Sequence, residues 1–336
     1  MKKNVRWLVL SVMFLSMAGM GVSNAASHAY VANFSDNTVS VIDTKTNTVV
    51  GSPIAVGDSP LYLTVTPKGK FVYVTNVFAP SVSVIDTKTN TVVATIPLAS
   101  SLVNGVVITP NGKFAYVATD TPDGVAVIDT ATNTIVTIIP LASGAGPMGL
   151  AITPDGVSVY TANNGNDTAS VIETATNTVV TTIPVGSLPE DIAVTPDGDS
   201  VYVANNGGAT VSVIDTATNT VVKTVPVGSG PDGVAFPRGG DFGYVTNELD
   251  HSISVIDTDT YMVSTIILPV GSIPDGVAFT ANGKFAYVTN ENDPGSIWVI
   301  DTHSNTIVDT ITANVRSLPS GIAISRKKED RRGEGD

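Results

Sequence analysis

One tyrosine recurs along this chain at a near-constant step: Tyr30, Tyr73, Tyr116, Tyr160, Tyr202, Tyr244 and Tyr287 stand 42 to 44 residues apart. Each opens a variant of one phrase, such as "YVTNVFAPSVSVIDTKTNTVV" at 73 to 93. Behind the tyrosine run an acidic column, Asp43, Asp86, Asp129, Glu173, Asp215, Asp257 and Asp301, and an asparagine column, Asn47, Asn90, Asn133, Asn177, Asn219 and Asn305, from which Tyr261 departs.

Within a unit, β-branched runs alternate with turn chemistry, so strands are legible directly. In the second unit they are "FVYVTN" (71 to 76), "SVSVID" (81 to 86), "TVVATIP" (91 to 97) and "GVVITP" (105 to 110). The joints, of "TKTN" and "TPNG" type, hold Asn, Asp and Gly where tight hairpins need a positive φ. Val and Ile fall on both faces of these strands, which suits a sheet covered on each side by a neighbour. Seven such units with a period near 40 to 45 residues predict an all-β, seven-bladed β-propeller of four-stranded blades. The phrase has to recur because no blade buries both its faces alone. Its Thr and Asn residues read as turn and ladder donors and acceptors rather than as catalysts.

The two ends are out of step by one strand. The repeat begins in "YVAN" (30 to 33) and finishes in "PSGIAIS" (319 to 325), which matches the innermost strand of every other unit. One blade is therefore expected to take three strands from residues 28 to 56 and its fourth from about 318 to 325. The ring would be closed by a strand from each terminus, leaving no open edge at the junction.

"YVTN" at 73, 244 and 287, "YVAN" at 30 and 202, the "VIDT" boxes and "TATNTVV" resemble the YVTN-repeat family of secreted β-propellers over residues 28 to 325. The resemblance implies seven blades and an extracytoplasmic, often surface-associated protein, and it carries no single activity. The local departures are "YTAN" at 160, "YVAT" at 116, Glu173 and Tyr261, expected to alter turn details only.

The N-terminus has the three-part layout of a secretory signal peptide: Lys2, Lys3 and Arg6, an apolar run from Trp7 to Val22, then Ser23-Asn24-Ala25. The expected organisation is a signal peptide over 1 to 25, the propeller over 26 to 325, and a charged, disordered tail over 326 to 336. The apolar run is short for a bilayer span of about 20 residues, and no second one follows, so the mature chain is expected to have no transmembrane span. With no Cys, neither disulfides nor a lipid-modified N-terminal Cys contributes. The net charge of −13 becomes about −16 once the three cations of the leader are removed, so phosphate backbones are repelled and nucleic acid is excluded as a partner.

Candidate sites follow from propeller geometry, because loops leading into the innermost strands share the channel mouth with the loops after the "YVTN" strands. At the channel-facing column the repeats read Leu61, Asn104, Met148, Glu190, Asp232, Asp275 and Ser320. Glu190, Asp191, Asp232, Asp275 and Asn104 are the ligand-binding candidates. Glu190, Asp232 and Asp275 form a candidate Ca²⁺ set, set against the reading of "PDG" as an ordinary turn. Leu61, Tyr62, Phe78 and Met148 are a candidate apolar patch for a partner. Arg316 is expected to pair with Asp275. His28, His251 and His303 are too dispersed for one metal, and no G-x-S-x-G, phosphate loop or Cys-x-x-Cys-His occurs.

The expected function is an exported, monomeric, non-catalytic propeller binding a protein, glycan or envelope component at its channel mouth, with no cofactor unless Ca²⁺. The alternative is a metal-assisted lactonase or lyase in the channel. Mass analysis of the exported protein should find a chain beginning at or near Ala26; a membrane-bound chain beginning at Met1 would overturn the leader assignment.

Overall fold

The computed structural model describes residues 27 to 325 except 293, 313, 314 and 316. The leader, the charged tail and Arg316 therefore lie outside the described residues.

Seven antiparallel sheets form the seven blades. In blade two the strands are Pro60–Val65, Phe71–Asn76, Ser81–Asp86 and Thr91–Pro97, running from the channel outwards. The innermost strand of blade three is Leu102–Ile108 and begins earlier than the expected 105, because pairing continues across an irregularity near its start. Blade one is the shared one. Its innermost strand, Pro319–Ile324, pairs with His28–Asn33 through Ala29 with Ile324, Tyr30 with Ala323 and Val31 with Ile322. Its outer strand is broken into Thr48–Val49 and Ile54–Ala55, both paired with Thr38–Asp43.

The core is a set of slabs between blades rather than one centre. Val82, Val84 and Ile96 of blade two pack with Val103, Val106, Val117 and Ile128 of blade three. The equivalent slab between the last blade and the first joins Val299 and Ile311 to Ala29, Val31 and Ile322, so the ring is sealed by the same packing that builds it. Every core tyrosine is at most 1% exposed.

Each slab but one is fastened by a hydrogen bond that joins two of the sequence columns. Tyr73 donates its hydroxyl to Asn133 Oδ1 at 2.7 Å, Tyr116 to Asn177 at 2.7 Å and Tyr160 to Asn219 at 2.6 Å, in each case in the following blade. Tyr30 bonds Asn90, Tyr244 bonds Asn305 and Tyr287 bonds Asn47 in the same way. The asparagines stand in turns at φ near +54°, a conformation Asn tolerates better than most residues, so one side chain serves both the turn and the neighbour. Burial holds the phenols of Tyr30, Tyr73 and Tyr160 at about 12, which keeps them as donors. The acidic column acts locally. Asp86 Oδ1, for example, accepts the N–H groups of Lys88 and Thr89 and closes the turn.

Tyr261 is more than a local departure. It takes the place of the asparagine that would receive Tyr202, and Tyr202 instead packs edge-on against Phe236, with ring centroids 4.9 Å apart. Among the described residues, the interface between blades five and six therefore lacks the fastening that the other six have. Tyr116→Phe should lower stability by about 0.5–1.5 kcal/mol in urea denaturation, since it removes a hydrogen bond from a buried phenol to the half-buried Asn177. Tyr202→Phe should change it by less than about 0.5 kcal/mol.

Candidate functional site

The innermost strand of every blade carries a bulge where it meets the channel. In blade two Pro60 pairs with Asn76, and the next aligned pair is Leu63 with Val74, so the inner strand holds one residue too many. The same slip separates Pro147 from Leu150, Pro189 from Ile192, Pro231 from Val234 and Pro274 from Val277. A bulge re-aims side chains, and the pairs it holds here are Leu61-Tyr62, Asn104-Gly105, Met148-Gly149, Glu190-Asp191, Asp232-Gly233, Asp275-Gly276 and Ser320-Gly321.

The second bulge position is held by glycine in five blades, for a steric reason. A Cβ on Gly233 would lie 2.4 Å from the Asp275 carbonyl oxygen, and one on Gly321 would lie 2.3 Å from that of Leu61. Only blades two and five place a side chain there, Tyr62 and Asp191. Asp191 uses the position to accept the Val234 N–H of blade six at 3.0 Å.

These residues line a cavity of about 370 Å³. Leu61, Tyr62, Val106 and Met148 come from blades two to four, and Glu190, Asp191, Asp232, Asp275 and Glu291 from blades five to seven. Glu190, Asp191, Asp232 and Asp275 are thus brought together as the sequence suggests. Asn104 is not among them: it is 5% exposed and donates to the Pro147 carbonyl at 2.9 Å, so it ties blade three to blade four. The apolar candidates also divide. Leu61, Tyr62 and Met148 face the cavity, whereas Phe78 is 62% exposed in the turn after its strand, edge-on to Phe34 at 6.0 Å.

The structure adds Glu291 to the candidates, and Glu248 lies close enough to act on the cluster. Both directly follow the terminal asparagine of "YVTN", a position occupied by Asn164 in blade four, where the amide donates to Glu190 Oε1 at 2.9 Å. The repeated "TNE" at 246 to 248 and 289 to 291 is the signal that could have pointed to them.

No Lys, Arg or His lines this cavity among the described residues. Burial first, and Asp191 second, push the Glu190 carboxyl up to about 7. Burial pushes Asp191 up to about 6 against two backbone N–H groups that hold it down. Asp232 is raised well above the usual range by burial and then by Glu190 and Asp191. Asp275 is raised by burial and Asp232, and its carboxyl is hydrogen-bonded to that of Glu291. Asp275 with Glu291 and Glu190 with Asn164 thus find neighbours within the protein. Among the described residues no three of His, Cys, Asp or Glu come together as a metal-ligand set. The histidines stay apart, His251 Nδ1 pairing with the Ser272 carbonyl oxygen and His303 sitting in a turn closed by Asp301.

A family model described as YNCE-like beta-propeller matches residues 8 to 327. The chain belongs to the YNCE-like β-propeller family. Similar solved structures include a functionally unknown protein from Desulfotomaculum acetoxidans, 20% identical, with a TM-score of 0.76 over 90% of this chain and 100% of that one. Another is hydrazine synthase from Kuenenia stuttgartiensis, 25% identical, with a TM-score of 0.69 over 85% of this chain and 92% of that one. A third is the dihydro-heme d1 dehydrogenase NirN in complex with DHE, 16% identical, with a TM-score of 0.66 over 88% of this chain and 74% of that one. No curated protein matches. The neighbours carry different activities on one architecture, so the fold follows from them and an activity does not. No helix among the described residues is long and apolar enough to cross a membrane.

The raised carboxyls have a consequence for stability. Unfolded Asp and Glu titrate near 4, and Glu190 and Asp191 titrate near 7 and 6 in the fold. Between about pH 4 and pH 7 the native state holds more protons than the unfolded state, so stability falls as pH rises. The melting temperature should therefore drop from pH 5 to pH 8, and Asp232→Asn combined with Glu190→Gln should flatten that slope. Melts across the range in constant salt decide it.

Proposed function

We propose that this chain is an exported, non-catalytic binding propeller that takes a positively charged ligand or partner segment at the acidic arc of its channel. One observation carries the reading: five carboxyl groups, Glu190, Asp191, Asp232, Asp275 and Glu291, line one cavity with no cationic side chain beside them among the described residues. Enclosed like charges oppose one another's ionisation, and an incoming cation removes that opposition while forming charge-assisted hydrogen bonds. Export is supported by the leader-like N-terminal sequence. A cationic protein segment suits the arc better than a neutral glycan or a nucleic acid.

Occupation of the arc should stabilise the fold by mass action, about 2.7 kcal/mol at a hundredfold excess over Kd. The test is a set of melts at pH 8 with calcium chloride, spermidine or a lysine-rich peptide, each against sodium chloride of equal ionic strength. At least one should raise the melting temperature of the wild type and leave a Glu190→Gln, Asp232→Asn, Asp275→Asn variant unmoved. Equal melts throughout would overturn the reading.

A further inference from the structure

The acidic arc is half of the cavity wall, and the other half restricts the kind of cation that fits. Leu61, Val106, Met148 and Leu150, from blades two to four, make an apolar wall facing the carboxyls of blades five to seven. A bare ion would satisfy the arc and leave the apolar wall wet. A neutral apolar molecule would cover that wall and leave buried carboxylates without a partner, which is unfavourable. A small cation with a hydrocarbon stem meets both walls, and 370 Å³ falls within the range of small-molecule pockets, about 300–1,000 Å³.

Tyr62 is an independent pointer to such a ligand. It stands where five other blades have glycine, so its presence is not demanded by the repeat. Its ring packs on the slab between blades two and three. It is half-buried and lines the cavity, and Asp191, Asp232, Glu190 and Asp275 lie within electrostatic reach. Its hydroxyl has no hydrogen-bond partner among the described residues, and neither has the carboxylate of Asp232. A hydroxyl and a carboxylate, both half-buried in the wall of one cavity and unpaired by the protein, can share one donor group. An ammonium group offers three N–H donors and no acceptor.

We propose that the channel binds a primary alkylammonium group, with N–H donors shared between Asp232, Glu190 and the Tyr62 hydroxyl oxygen, and with the stem along Leu61, Val106 and Met148. The inference rests on the cationic reading of the channel given above and narrows it. A free aliphatic amine and a lysine side chain of a polypeptide present the same chemistry.

The test is isothermal titration of the mature protein at pH 8 with n-hexylammonium chloride, and in parallel with n-hexanol, ammonium chloride, calcium chloride and acetyl-Gly-Gly-Lys-Gly-Gly-amide. Hexylammonium should bind once per chain, at least tenfold tighter than either hexanol or ammonium. Asp232→Asn and Tyr62→Phe should each weaken it about tenfold or more. Asp232→Asn relieves repulsion between acids, so its folding is not at issue, and an unchanged or raised melting temperature verifies this. The peptide binding as tightly as hexylammonium assigns a polypeptide source, and binding of hexylammonium alone assigns a free amine. Calcium binding with hexylammonium no tighter than ammonium would overturn this inference and leave the cationic reading standing. Hexanol binding as tightly as hexylammonium would also overturn it. Absence of binding by any cation would overturn both.

Discussion

A four-stranded blade with valine and isoleucine on both faces is not a stable object, because each face exposes apolar surface until another blade covers it. Everything else in this protein follows from the need to supply two neighbours to every blade. A closed ring does so without terminal caps, and the strand Pro319–Ile324 turns an open series into that ring. The slabs between blades are generic in composition, so register between neighbours has to come from something directional. The Tyr-to-Asn hydrogen bond provides it, fixing the height of one blade against the next at the buried end of a rigid side chain.

The channel site is a by-product of the same crowding. Seven innermost strands converge on one axis, and their backbones approach so closely that a Cβ is excluded from most of the second bulge positions. The residue before that position accepts side chains of different size and charge from blade to blade. Here the repeat tolerates Leu61, Met148, Glu190, Asp232 and Asp275 in equivalent places. A polarised cavity therefore needs no change in the scaffold, only different side chains on identical bulges.

The fold is legible in the sequence because period, strand length and turn chemistry all repeat, and three strand ranges of the second unit coincide with those observed. The tyrosine and asparagine columns are equally visible. That they meet is not, since the partners lie 59 to 61 residues apart along most of the ring and pairing them requires knowing how one blade overlies the next. Asn104 shares its column with the acids, yet its amide reaches a backbone carbonyl of blade four, which column membership does not reveal. Phe78 and Tyr62 look alike as apolar residues of one blade, and the bulge separates them by aiming only Tyr62 inward. Glu291 escapes a reading confined to the innermost strands because it stands in the loop after the "YVTN" strand, where only Glu248 and Asp120 share its acidity.

Tyr261 leaves the fifth and sixth blades without the phenol-to-amide fastening, and at that same interface Asp191 accepts the Val234 N–H near the axis. Asp191 titrates near 6, and a protonated carboxyl is a weaker acceptor than a carboxylate. A closed ring widens only by parting a seam, and it parts first where the ties are fewest. The seam between blades five and six thus depends, near the axis, on an acceptor whose charge changes with proton activity, beside Glu190 and Asp232.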